Sequence, residues 1–144
     1  MHYREDGSCY LVRLDKGERV RSALSALVRE LKLTGGSLTA IGALSEAELA
    51  YFDEEVNEYR SHTFRGGLEV LSLVGNVSLL TDGEPMVHLH ASLGKADFQV
   101  IGGHLNEGIV SVTLEVFLTP TRTPLVRKEP FGPFKLWDLT STSA

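Results

Sequence analysis

The sequence predicts an α+β fold, a mostly antiparallel sheet of about seven or eight strands with one main amphipathic helix packed on a face. Three observations carry that expectation. Most segments lying between turn signals alternate apolar and polar residues with a period of two, the pattern of half-buried strands. A single segment, Val20 to Leu31, repeats apolar residues at steps of three and four, as the buried stripe of a helix does. The strand-like segments follow one another through short turns rather than through helices, which is how antiparallel neighbours are joined.

Taken in order, Ser8 to Leu14 reads as the first strand, and Asp15-Lys-Gly-Glu18 as a capping box ahead of the helix. Val20, Ala23, Leu24, Leu27, Val28 and Leu31 form its apolar stripe, and Gly35-Gly36 supplies a left-handed stop. Ser37 to Phe52 reads as one long strand with a bend or bulge at Gly42. Asp53 to Glu58 is an acidic turn, and Tyr59 to Arg65 the partner strand. Strand character then runs on both sides of Gly75-Asn76, and the Asp82-Gly83 pair turns the chain into the next strand. Ile109 to Leu118 alternates again, Thr119 to Pro124 breaks the pattern, and Lys135-Leu-Trp-Asp-Leu139 is apolar enough to dock on the sheet or on a neighbouring subunit.

At 144 residues the chain has the length of one domain with a single core, read here as residues 1–139 followed by a disordered tail at 140–144. Its longest apolar runs fall far short of the roughly 18 residues a membrane span needs, so no membrane association is expected. Met1 to Gly7 leads straight into a strand, unlike a signal peptide, and one cysteine excludes an internal disulfide; both suit a cytoplasmic protein. The net charge of −5 argues against broad electrostatic binding to nucleic acid or anionic membranes.

The chemistry-bearing stretch is Glu84 to Glu107, which holds three of the five histidines. Val87, Leu89 and Ala91 alternate with His88, His90 and Ser92, so His88 and His90 share one face of a strand. Gly94 to Asp97 reads as a turn and Phe98 to Leu105 as the returning strand. A hairpin centred near Ala96 sets His104 opposite His88 and Gly102 opposite His90, with Gly102 and Gly103 leaving space beside the imidazoles. Three imidazoles on one patch are an open metal site, binding zinc at about 2.0–2.1 Å with a position left for water or a ligand. The same spacing also fits three independent polar residues on a half-exposed sheet, and a one-residue slip in register turns His104 away. Glu115 sits mid-strand, where its carboxylate needs a partner; it can orient a ligating imidazole or pair with an arginine.

Leu68-Glu-Val-Leu-Ser-Leu-Val-Gly-Asn-Val-Ser78, His88-Leu-His-Ala-Ser-Leu93, Val100-Ile-Gly-Gly-His-Leu-Asn-Glu-Gly108 and Glu115-Val-Phe-Leu118 together resemble the plant and prokaryote conserved (PPC) domain, stand-alone prokaryotic type, over roughly Ser8 to Leu118. That resemblance implies a compact domain assembling as a homotrimer, and in some prokaryotic members a divalent metal held by the histidines that correspond to His88, His90 and His104. Two departures matter. The chain lacks the Arg-Gly-Arg-Pro AT-hook of DNA-binding relatives, and Gly67 stands where relatives carry a larger or charged residue. No reaction comes with the resemblance.

Three functions are therefore weighed. The first is a homotrimeric metal-binding module, zinc being the expected ion, for small-ligand binding, sensing or scaffolding; the absence of an obvious nucleophile–base pair favours it over an enzyme. The second is a metal-dependent hydrolase or lyase with Glu115 or Glu107 as general base. The third is a DNA-associated protein, against which the acidic balance and the missing hook both argue.

Overall fold

The structure, a computed structural model, describes residues 1–131 and 134–140. The elements are β1 (His2–Asp6), β2 (Cys9–Asp15), α1 (Val20–Glu30), β3 (Gly36–Asp53), β4 (Glu58–Leu79), β5 (Pro85–Gly94), β6 (Val100–Pro120), β7 (Arg127–Phe131) and β8 (Phe134–Trp137). This is the expected α+β class, with one helix and eight strands among the described residues. Residues 141–144 of the expected tail lie outside the described residues, while Thr140 is tied by its backbone N–H and hydroxyl to the Asp138 carboxylate.

Six strands form one antiparallel sheet in the order β1-β2-β6-β3-β4-β5. The sheet also closes on itself. From His104 onward β6 pairs with β3, whereas its first residues, Val100 to His104, pair with β5. His104 thus sits at the closure point, matched both to Ala50 of β3 and to His90 of β5. Closure removes the edges that β5 and β6 would otherwise expose there.

Leu44, Leu73, Leu89, Leu93, Leu105 and Leu114 fill the interior with no exposed area. Helix α1 delivers Val20, Leu24, Leu27 and Val28 to the same core, each worth about 1.5–3 kcal/mol on burial. Its apolar stripe therefore docks the helix and leaves Arg21, Ser25 and Arg29 on the opposite side.

The ends of the helix differ from expectation. Glu18 does accept the Asp15 N–H at 2.7 Å, half of the capping box, but α1 starts at Val20 and its N-cap, Arg19, makes no side-chain cap bond. At the other end Lys32, not Gly35 or Gly36, adopts the left-handed conformation at φ 53°, and the Leu33 N–H closes on the Val28 carbonyl at 3.0 Å. The two glycines serve close packing instead: a Cβ on Gly35 would lie 2.3 Å from Thr121 Oγ1. Two strand boundaries also moved. His2–Asp6 folds onto β2 through Gly7 at φ 62°, adding a first strand, and β6 runs unbroken through Asn106-Glu-Gly108.

Gly75 holds β4 against the histidine strand. A Cβ there would meet the His88 carbonyl oxygen at 2.3 Å, which is backbone and cannot swing aside. Gly75→Ala is expected to destabilise the protein by about 1–3 kcal/mol through overpacking, read as a lower urea midpoint. An unchanged midpoint would mean that β5 is free to shift.

Candidate metal centre

Strand β5 turns Val87, Leu89 and Ala91 into the core, and this alternation presents His88 and His90 on the outer face. The β5–β6 turn is a residue longer than the sequence implied. Lys95 and Gln99 close it, with Phe98 in the left-handed region at φ 62° and the Asp97 carboxylate accepting the Gln99 N–H. The hairpin centre moves from Ala96 to Asp97, so every partner moves by two: His104 faces His90, and Gly102 faces Ser92. The expected His88–His104 register is corrected, yet the shared face survives, because a shift of two preserves strand parity.

His104 leans diagonally along the sheet, a distance long side chains readily span, and its Nδ1 lies 3.1 Å from His88 Nε2. Ring centroids are 5.0 Å apart for His88–His90, 4.8 Å for His88–His104 and 5.4 Å for His90–His104. One nitrogen from each imidazole falls within 4.8 Å of the other two, so the three could hold a metal ion. Four-coordinate zinc needs nitrogens about 3.3 Å apart at bond lengths of about 2.0–2.1 Å; the His88–His104 pair, at 3.1 Å, is already close to this, and the third nitrogen lies within 4.8 Å. The pair Gly102-Gly103 allows the crowding: a Cβ at either would come within 2.8 Å or 2.7 Å of the carbonyls of Ala91 and Ala50 on the flanking strands. Beside His90 they leave a recess of about 280 Å³.

The electrostatics suit neutral ligands. Burial first, then the neighbouring charges of His104, Arg127 and His90, push the His88 pKa down from 6.5 to about 4. Burial, His90 and Arg21 lower that of His104 as well. Both groups favour their neutral form in the fold, while in the unfolded chain they take up a proton near pH 6.5. Stability is then fully present above pH 6.5 and is lost as the pH falls towards about 4. Chelator-treated protein should melt at progressively lower temperature across that window, and His88→Gln should flatten the dependence; a flat wild-type profile would contradict the burial argument.

Arg127, which sequence reasoning did not single out, completes the site from β7. Arg127 is 9% exposed as a residue, and its guanidinium donates to Ser78 Oγ at 2.8 Å, to Asn76 Oδ1 at 2.8 Å and to the Lys135 carbonyl. It also faces His88 Nδ1 at 3.4 Å and lies over the Trp137 ring at 5.7 Å. Guanidinium has no acceptor, so Nδ1 of His88 accepts, the proton resides on Nε2, and Nε2 donates to His104 Nδ1. Ligation through His88 Nε2 would move that proton to Nδ1 and set it against Arg127. The long 3.4 Å contact is the weakest of the four and is the one that would yield. The expected docking of Lys135 to Leu139 is only partial: Phe134, just before it, meets Phe52 edge-to-face at 4.7 Å, whereas Leu136, Trp137 and Leu139 remain 49%, 43% and 72% exposed.

The two carboxylates considered as bases lie elsewhere. Glu107 caps the helix across 86 residues, accepting the Arg21 N–H at 2.8 Å, the Ser22 N–H at 3.3 Å and the Ser22 hydroxyl at 2.6 Å. This is the cap that Arg19 lacks. Glu115 is exposed towards the far end of β6, matched to Arg13 and Ile41, eleven positions and hence roughly 30 Å or more from His104 along the strand. Neither is among the residues lining the cavity beside the histidines.

That cavity, of about 740 Å³, is floored by His88 and His104, walled by the polar side of α1 and roofed by the β7–β8 hairpin. Tyr59 approaches His104 with ring centroids at 5.8 Å.

Comparison with known proteins agrees with this architecture. The sequence profile of the Plants and Prokaryotes Conserved (PCC) domain matches residues 1–122. A plant- and prokaryote-conserved (PPC) protein of Pyrococcus horikoshii superposes with a TM-score of 0.84 at 37% identity, over 92% of each chain. A structure described as a metal-containing protein of Archaeoglobus fulgidus gives 0.80 at 33% identity, over 95% of this chain and 98% of its own. The bifunctional protein GlmU of a Synechococcus strain is 34% identical over 123 residues, which is 84% of this chain but 18% of that relative's length.

Proposed function

The chain belongs to the Plants and Prokaryotes Conserved domain family, and from that premise we propose that it is a metal-binding module in which His88, His90 and His104 hold one divalent ion, zinc fitting best, with a remaining coordination position open to a small ligand. The observation that carries this reading is the convergence of three imidazole nitrogens within 4.8 Å of one another at the closure of the sheet. Supporting it, His88 and His104 are held neutral, the protonation state that metal ligation requires. The metal would supply a Lewis-acidic centre; the chain supplies the pocket that selects what reaches it.

A ligand-binding, sensing or scaffold role is preferred to hydrolysis because Glu107 is engaged by the helix and Glu115 is remote. We further propose assembly as a homotrimer. Ile41, Val112 and Phe117, on β3 and β6, are 61%, 71% and 59% exposed, apolar surface of the kind that subunit contact covers. Among the described residues no helix is long and apolar enough to cross a membrane.

Elemental analysis of untagged protein purified without chelator is expected to find about one divalent metal per chain, with a light-scattering mass of three 15.8 kDa chains. Protein that neither takes up zinc nor melts differently with it would end the metal reading. A monomeric mass would end the trimer.

A further inference from the structure

The charge on the cavity walls narrows the ligand. The chain as a whole carries a net charge of −5. Yet the described residues lining the 740 Å³ cavity include four cations, Arg21, Arg29, Arg127 and Lys135, and no carboxylate. Two of these are partly compensated at the rim: Arg29 lies 3.4 Å from Glu84, and Lys135 lies 3.2 Å from Glu129. The other two are not. The Arg21 side chain enters no ion pair among the described residues, and it lines the same cavity as His88 and His104. The hydrogen bonds of Arg127 go to neutral acceptors, a hydroxyl, an amide and a carbonyl. A buried guanidinium without a counter-charge is costly unless an anion approaches it.

Apolar lining comes from Leu80, Pro85 and Met86 on one side and from Phe134 and Leu136 on the hairpin, while Ser22, Ser25 and Asn106 add neutral polar groups. The volume lies within the roughly 300–1,000 Å³ of sites for small molecules. Resting on the metal reading above, we infer that the ligand is a small organic anion, with a carboxylate or phosphate head set between the histidine cluster and Arg21 and Lys135, and an apolar body against Met86, Phe134 and Leu136. Arg127 contributes field rather than direct contact, since its donors are already largely engaged. Arg21 supplies free donors, Lys135 adds those that Glu129 leaves unused, and the open metal position takes an oxygen of the same head.

Calorimetric titration of the zinc-loaded protein with benzoate, phenyl phosphate and the neutral benzamide tests this, with the metal content measured in every sample. At least one of the anions should bind ten-fold or more tightly than benzamide, and the comparison of benzoate with phenyl phosphate tells which head is preferred. The variant carrying Arg21→Gln and Lys135→Gln should lose at least ten-fold in that affinity while keeping its zinc, because neither residue touches the imidazole nitrogens offered to the metal. Equal binding of benzamide, or anion binding undiminished in the variant, would overturn the inference while leaving the metal site standing. Should the protein take no zinc yet bind an anion through Arg21 and Lys135, the ligand class holds and the metal reading falls. The two failures are thus separable.

Discussion

Replacing His88 and His104 together by alanine is expected to take the protein from about one metal per chain to less than about a tenth. Affinity should fall by more than about 100-fold, beyond the 10–100-fold that follows loss of an outer partner, because two of the three imidazoles are themselves removed. The fold should survive. Both side chains lie on the outer face of the sheet, and the core residues between them, Val87, Leu89 and Leu105, are untouched. Far-ultraviolet circular dichroism and the mass of the assembly should therefore match wild type. If the double variant kept its metal, the ion would be bound elsewhere and the cluster would be three polar groups that happen to meet.

Arg127→Ala should have the largest effect on stability, about 2–4 kcal/mol in urea denaturation. The substitution strands the side chains of Asn76 and Ser78 and the Lys135 carbonyl, all of which this guanidinium bonds at once. It also removes the cation over Trp137. Trp137 is the only tryptophan in the chain and lies on β8, so its fluorescence reports directly on whether the β7–β8 hairpin leaves the cavity. Arg127→Lys should not restore the wild-type value, because an ammonium cannot reproduce the planar fork that serves Asn76 and Ser78 together. A change within about 0.5 kcal/mol with unaltered fluorescence would show that the hairpin docks through Phe134 and Phe52 alone.

Legibility in the sequence followed the range of the interaction. The histidine face was readable because strand parity is local: Val87, Leu89 and Ala91 go inward, so His88 and His90 must go outward. It even tolerated an error. The hairpin turned one residue later than its composition suggested, and the even shift left His104 on the correct side. The helix was readable from Val20, Leu24, Leu27 and Val28, whereas its cap was not. Asp15 and Glu18 carry a capping signature, but the carboxylate that reaches the first turn belongs to Glu107 on another strand. Glu107 looked like a free base for the same reason: nothing in its neighbours announces a helix start 86 residues away.

Periodicity along continuous segments was enough for the fold class, the helix and the shared face of His88 and His90. Long-range pairing brought His104 beside them where the sheet closes, returned Arg127 over His88 from 39 residues away, and formed a cavity lined by cations in an acidic protein. Which distant segments touch is set by burying one shared core and by pairing β6 with three strands at once. A local pattern carries no record of that choice.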